Sequence, residues 1–204
     1  MGRKLIRSDF STQRLYNTIG YSYKRLVERH GGQFVKTENI RMQIDKIVKM
    51  LIETNRYGLF INGQVGNGKS TLTKVISQII NQFVTNHYFF QGDIFNLDYC
   101  AIVNAREMIR IYSRMPDKFE EMMRRSWLIV DDLCEEPKEI DVYGTKCNPF
   151  MELFDYRYEH RLPTILVSNL TYAEVKEHYA DPRFDDRMTQ MCNRITFRDN
   201  SFRR

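Results

Sequence analysis

Gly63-Gln64-Val65-Gly66-Asn67-Gly68-Lys69-Ser70, followed by Thr71, decides how this chain of 204 residues is read. The stretch fits the pattern G-x-x-x-x-G-K-[ST], and its flanks fit the setting that the pattern requires. Leu59-Phe60-Ile61-Asn62, just before it, is a short apolar run of the kind that forms a buried strand. After it, Leu72, Val75, Ile76, Ile79 and Ile80 recur on one helical face. Glycines between strand and helix let the backbone turn tightly, with successive N–H groups facing inward, and the positive end of the helix adds to that field. The stretch predicts a cradle for a nucleoside triphosphate. Gly63, Gln64, Val65, Gly66, Asn67, Gly68, Lys69, Ser70 and Thr71 are its candidate binding residues. Lys69 is expected to reach the β- and γ-phosphates, and the Ser70 hydroxyl to complete the shell of a Mg2+ ion. The competing reading, a glycine-rich surface turn with a chance lysine, does not account for both flanks.

Trp127-Leu128-Ile129-Val130-Asp131-Asp132 is the second anchor, four apolar residues ending in two carboxylates. In a parallel sheet such a run is a fully buried strand whose carboxyl end opens on the ligand crevice. Asp131 is then a candidate to hold Mg2+ through water, and Asp132 to orient or activate the attacking water. Thr164-Ile165-Leu166-Val167-Ser168-Asn169 has the same form. It would bring the Asn169 amide to the same sheet edge, within reach of the γ-phosphate or the water. Asparagine after a strand is also a common turn residue, so the reading of Asn169 depends on its neighbours.

The remaining elements follow from periodicity. Ile40, Ile44, Ile47, Val48, Leu51 and Ile52 predict a helix over Glu38–Thr54 with Thr37 as N-cap. Ser8–Val35 reads as one or two short helices broken at Gly31-Gly32. The helix after the loop is expected to reach about Val84, and Phe89–Asp98 reads as an insertion or loop. Ala101–Asn104 is a candidate strand. Helices are expected at Ala105–Ser113, from Pro116 to about Arg125, at Phe150–Arg161 and at Ala173–Tyr179, and a short last strand at Ile195–Phe197. Strands alternating with helices predict an α/β fold with a mainly parallel central sheet.

Composition sets bounds on the function. With 42% hydrophobic and 28% charged residues the chain has an ordinary globular composition. No apolar run approaches the roughly 20 residues that span a bilayer. The basic start Met1–Arg7 lacks a signal-peptide core, and Ile6 stands where Gly2 acylation needs Ser or Thr. These features predict a cytoplasmic protein without membrane association. Cys100, Cys134, Cys147 and Cys192 are scattered and suit neither zinc nor a disulfide framework. The formal charge of +5 is uneven: residues up to Lys36 carry +6 and the rest −1. Phe10, Tyr16, Tyr21, Tyr23 and Phe34 lie among those N-terminal charges. They fit either phosphate contact with base stacking or a solvated helix with a core-facing aromatic stripe.

The ordered motifs together resemble the AAA+ ATPases of the bacterial replicative helicase loader type, the DnaC/DnaI group, with IstB transposition helpers as near relatives. The resemblance runs from about Glu38 to the C-terminus. It covers the Gly63–Ser70 loop, Leu128–Leu133 with Glu136 beyond, Arg157-Tyr158, Pro163–Leu170, Arg183 with Asp186-Arg187, and Ser201-Phe202-Arg203. It implies a P-loop NTPase of three layers, α/β/α, as residues 37–204, preceded by a short basic helical arm, 1–36, and lacking a C-terminal lid domain. It further implies that Asn169 is a sensor for the hydrolytic water, that Arg187 is an arginine finger acting on a neighbouring subunit, and that Arg203 is a second sensor at the γ-phosphate. The implied function is an ATP-binding and hydrolysing switch that uses Mg2+, forms a homo-oligomeric ring or spiral on single-stranded DNA and loads a replicative helicase. The alternative is an IstB-like helper that binds DNA and directs a transposase. Asp132 stands where many AAA+ proteins have Glu, which suits a slow, partner-stimulated ATPase. A short arm without zinc ligands stands where loaders usually carry a helicase-binding domain.

Overall fold

The computed structural model describes residues 11–52, 56–87, 100–142 and 144–197. Five parallel strands form the central sheet in the order β2-β3-β6-β1-β7: β1 (Gly58–Gly63), β2 (Ala101–Asn104), β3 (Leu128–Leu133), β6 (Thr164–Ser168) and β7 (Cys192–Phe197). Strand residues alternate between the two faces, as the pleat dictates. Leu59, Ile61, Ile129, Ile165, Val167 and Ile195 enter one core with α1 (Thr12–Arg29), α2 (Glu38–Ile52) and α3 (Lys69–His87). Phe60, Leu128, Val130 and Leu166 enter the other, with α4 (Ala105–Arg114), α5 (Pro116–Arg124), α6 (Pro149–Glu159), α7 (Tyr172–Tyr179) and α8 (Pro182–Met191). The expected three layers are present. No helix among the described residues is long and apolar enough to cross a membrane.

Helix starts follow local chemistry. Side chains of Ser11, Asn104, Asn148, Thr171 and Asp181 each accept from a backbone N–H of the first turn, and Thr171 with Glu174 forms a capping box. Thr37 caps α2 through a bond from the Ile40 amide, as expected. The last strand starts three residues before its predicted start, because Cys192, Asn193 and Arg194 pair along β1 at the sheet edge. A hairpin of β4 (Ile140–Val142) and β5 (Thr145–Cys147) was not expected. Its strands are three residues long and largely exposed, too short to show a period, and Gly144 turns between them at φ 82°. The predicted insertion at Phe89–Asp98 lies outside the described residues, as do Phe10 and the basic residues before it.

Residues 12–29 form one helix rather than two. Leu15, Ile19, Tyr23 and Val27, spaced by four, are buried in the core shared with α2 and α3. Tyr23 is fully buried and meets Phe34 edge-on at 5.4 Å, whereas Tyr21 is 64% exposed with the Arg25 guanidinium over its ring. The aromatic residues thus divide: Tyr23 and Phe34 face the core, and Tyr21 faces solvent. On the other side of the sheet Arg157 is fully buried without a carboxylate. Its guanidinium donates to the carbonyls of Met123, Arg125 and Pro163 and to the Thr164 hydroxyl, at 2.7–3.0 Å. One side chain so joins the ends of α5 and α6 to the start of β6.

Candidate nucleotide site

The loop between β1 and α3 closes on itself around Lys69. The lysine Nζ donates to the carbonyls of Gly63 at 2.6 Å and Gln64 at 2.8 Å, and to Asn67 Oδ1 at 3.3 Å. Only 5% of Lys69 is exposed. Burial lowers its pKa, against the opposing pull of the Asp131 and Asp132 charges. Gly66 and Gly68 take φ of 87° and 90°, open to glycine at little cost. Gly63 is required for space as well, since a Cβ there would lie 2.5 Å from the Phe197 carbonyl oxygen and 2.6 Å from Asn67 Nδ2. The loop is fastened to the end of β7 at that point: Asn67 Nδ2 donates to the Phe197 carbonyl at 3.2 Å, and Thr196 Oγ1 to Asn62 Oδ1 at 2.9 Å.

On the other side of β1, beyond β6, the strand β3 supplies both carboxylates. Asp131 is half-buried. Burial raises its pKa, a hydrogen bond from Ser70 pulls it back, and the neighbouring Asp132 adds to the rise. Ser70 and Asp131, predicted as partners at a metal, thus lie near each other. Asp132 adopts a left-handed backbone, φ 55°, and its carboxylate accepts from Asn104 Nδ2 at 2.8 Å. A cavity of about 820 Å³ opens between these parts, lined by Val65–Thr71 and Lys74 from the loop and α3, by Asp132 and by Asn169. Loop, Asp132 and Asn169 therefore meet at one cavity. Arg187 does not line it. Arg187 sits on α8 with 19% of its side chain exposed, paired with Asp155 at 2.5 Å and Glu159 at 3.4 Å and lying over the Tyr158 ring. The adjacent acids are occupied elsewhere: Asp185 by Lys176 and Tyr172, Asp186 by Gln190. Arg203 lies outside the described residues. Glu136 is buried beneath Tyr179, whose hydroxyl donates to it.

Two parts of the site were missed in the sequence. The far wall of the cavity is Val27, His30, Gly31 and Gly32, the end of α1. There Gly32 N bonds to Val27 O and Gly31 N to Glu28 O, both at 3.0 Å, with Gly31 at φ 78°. This is a Schellman closure, and it consumes the N–H groups of the turn. Tyr23 further ties α1 to the loop, its hydroxyl donating to the Gly68 carbonyl at 3.3 Å. The second omission is Asn104, whose Oδ1 caps α4 while its Nδ2 holds Asp132. Its place after an apolar run was a readable capping signal. Its reach to Asp132 depends on β2 lying beside β3, which no local pattern reveals.

No family model matches the chain, and no curated protein matches it in sequence. Solved structures do match in fold. DnaI aligns over 80% of this chain and 87% of its own at 19% identity, with a TM-score of 0.57. The DnaC helicase loader aligns over 86% and 98% at 13% identity, with a TM-score of 0.62. AMPPCP-bound DnaA from Aquifex aeolicus aligns over 88% of this chain and 52% of its own at 17% identity, with a TM-score of 0.54. At such identities the likeness is one of architecture: this chain has the α/β fold, with a parallel central sheet between helices, of the DnaI, DnaC and DnaA structures.

Proposed function

We propose that the protein is a helicase-loader-like AAA+ switch that binds and hydrolyses ATP and works as an assembly on single-stranded DNA. One observation carries the reading: the phosphate loop, the strand-end carboxylate of Asp132 and the strand-end amide of Asn169, from three separate segments, line one cavity. The fold shared with the DnaI and DnaC loaders supports the loader part over a transposition helper. The inward N–H groups of the loop take the phosphates, and Lys69 leaves its carbonyl acceptors to reach the β/γ oxygens. The Val27–Gly32 wall accommodates the nucleoside. Ser70 and Asp131 offer a neighbouring hydroxyl and carboxylate, an all-oxygen set that would suit Mg2+. A cation there would also offset the cost of keeping Asp131 ionised in a half-buried position. Bound Mg2+ supplies charge neutralisation at the phosphates. Asp132 orients the attacking water and accepts its proton, and Asn169 donates to the water or to the γ-phosphate.

Arg187 acts on the nucleotide of a neighbouring subunit, after exchanging Asp155 and Glu159 for phosphate oxygens. Arg203 contacts the γ-phosphate of its own subunit. The test is ATPase activity of Arg187→Ala, of Lys69→Ala and of their mixture across protein concentrations. Arg187→Ala binds a fluorescent ATP analogue normally but hydrolyses ATP about 10³-fold more slowly. The mixture recovers activity, because Lys69→Ala subunits lend their intact Arg187 to the sites of Arg187→Ala neighbours. A mixture no more active than the sum of its parts removes the trans role.

A further inference from the structure

The β3–β6 ladder breaks where the chemistry sits. Leu128, Ile129 and Val130 face Thr164, Ile165 and Leu166 in regular parallel register, and pairing then resumes at Leu133 opposite Ser168. β3 advances three residues across this gap and β6 only two, so β3 carries one residue too many, a bulge. Within the gap Asp132 takes left-handed backbone at φ 55°, and Cys134, just beyond Leu133, does so at φ 74°, neither of them glycine. Such conformations persist only where the surroundings hold them.

Ser168 is the hold from the β6 side. It is fully buried. Its Oγ donates to the Leu133 carbonyl at 2.8 Å and accepts from the Leu170 amide at 3.1 Å. One hydroxyl therefore links the backbone next to Asp132 on one strand with the backbone next to Asn169 on its neighbour. From the β2 side the same bulge is held by Asn104, on the Asp132 carboxylate, and by Arg106, on the carbonyl and carboxylate of Glu135. Beyond the backbone ladder, Ser168 is the side chain among the described residues that bonds the bulge to the strand that carries Asn169.

We propose that Ser168 is a positioning residue that fixes the separation of Asp132 and Asn169 and so sets the hydrolytic rate without touching nucleotide. This rests on the reading of those two residues as the water-orienting pair. Without the hydroxyl, the Leu133 carbonyl loses its donor and the Leu170 amide its acceptor, and the bulge and the Asn169 turn move independently. The phosphate loop is anchored on β7, at the opposite flank of β1, and keeps its grip.

The experiment compares the full chain with Ser168→Ala and Ser168→Thr. It reads kcat and KM for ATP, affinity for a non-hydrolysable analogue with magnesium, and hydrogen exchange over residues 131–135 and 168–171. A misplacement on the ångström scale lowers kcat about 10- to 10²-fold in Ser168→Ala, with KM and analogue affinity nearly unchanged. Ser168→Thr, which retains the hydroxyl, recovers most of the rate. In the wild type the analogue protects both segments together, and in Ser168→Ala protection of one no longer accompanies the other. If the threonine methyl prevents folding, the exchange pattern of Ser168→Ala decides alone. An unchanged kcat in Ser168→Ala, joint protection that survives there, or a folded Ser168→Thr as impaired as the alanine variant overturns the inference. A wild type that binds no analogue overturns the functional reading first, and this inference with it.

Discussion

Lys69 finds its three acceptors at Gly63, Gln64 and Asn67, all within six residues of it, whereas the Asp132 carboxylate is held by Asn104, 28 residues away. The Leu133 carbonyl beside it is held by Ser168, 35 residues further on. Both walls face one cavity, yet one is a contiguous loop that satisfies itself and the other exists only because three strands lie side by side. A wall of the first kind depends on local backbone geometry and one anchor to β7. The second depends on sheet register, where a shift of an ångström changes the chemistry and leaves binding intact. Damage to the loop and damage to Asp132 or its holds should therefore separate into affinity and rate.

The strongest test of that separation is Asp132→Asn, which should lower kcat by about 10²- to 10⁴-fold while analogue affinity stays unchanged. Rapid-quench hydrolysis beside equilibrium titration measures both, and a parallel fall in affinity would merge the two walls. Lys69→Ala is the mirror case. Loss of a charge-assisted contact should weaken ATP binding by about 10²-fold, read by titration with a fluorescent analogue, and unchanged affinity would mean that the loop is not the site.

Acidity acts next, through Asp131. Only the ionised carboxylate serves Mg2+, and burial raises its pKa above the ordinary carboxylate range. The ligand is therefore lost as pH falls through that raised value, earlier than for an exposed aspartate. Magnesium-dependent affinity should decline on acidification by roughly tenfold per pH unit below that value, and Asp131→Asn should flatten the profile. The smallest effect is expected of Asn104→Ala. It removes the donor to Asp132 and the cap of α4, so kcat should fall about tenfold and stability by about 1 kcal/mol, measured by steady-state kinetics and thermal melting. A stability loss without any change in kcat would reduce Asn104 to a helix cap.

The same contrast explains what could be read from the chain. The phosphate loop, Asp131-Asp132 and Asn169 each end a short apolar run, and a run followed by a polar group is a local signal. Their convergence followed from the parallel sheet. The wall at Val27–Gly32 was not legible, because the buried positions Leu15, Ile19, Tyr23 and Val27 are interleaved with Arg14, Lys24, Arg25 and Arg29, and the charges dominate the pattern. Asn104 and Ser168 were invisible as site residues for a different reason. Each is an ordinary strand-end residue until the order β2-β3-β6 brings Asp132 between them. Arg187 has Asp185 and Asp186 beside it in the sequence. It pairs instead with Asp155 and Glu159, because α8 packs on α6.

The strand that carries the phosphate loop is flanked by the two strands made last. Gly58 on β1 faces Thr164 on β6 and Cys192 on β7, each more than a hundred residues later, and Asn67 and Gly63 close on Phe197. During synthesis, at about 5–20 residues per second, β1 and its loop leave the ribosome with no sheet neighbour available. The apolar run Leu59-Phe60-Ile61 lacks its full set of strand partners until about 130 further residues have been added. Nucleotide cannot rescue such an intermediate, since the cradle acquires its anchor only with β7. A nascent chain stalled before Cys192 should therefore be both aggregation-prone and unable to bind ATP, so that ligand binding reports completed folding rather than assisting it.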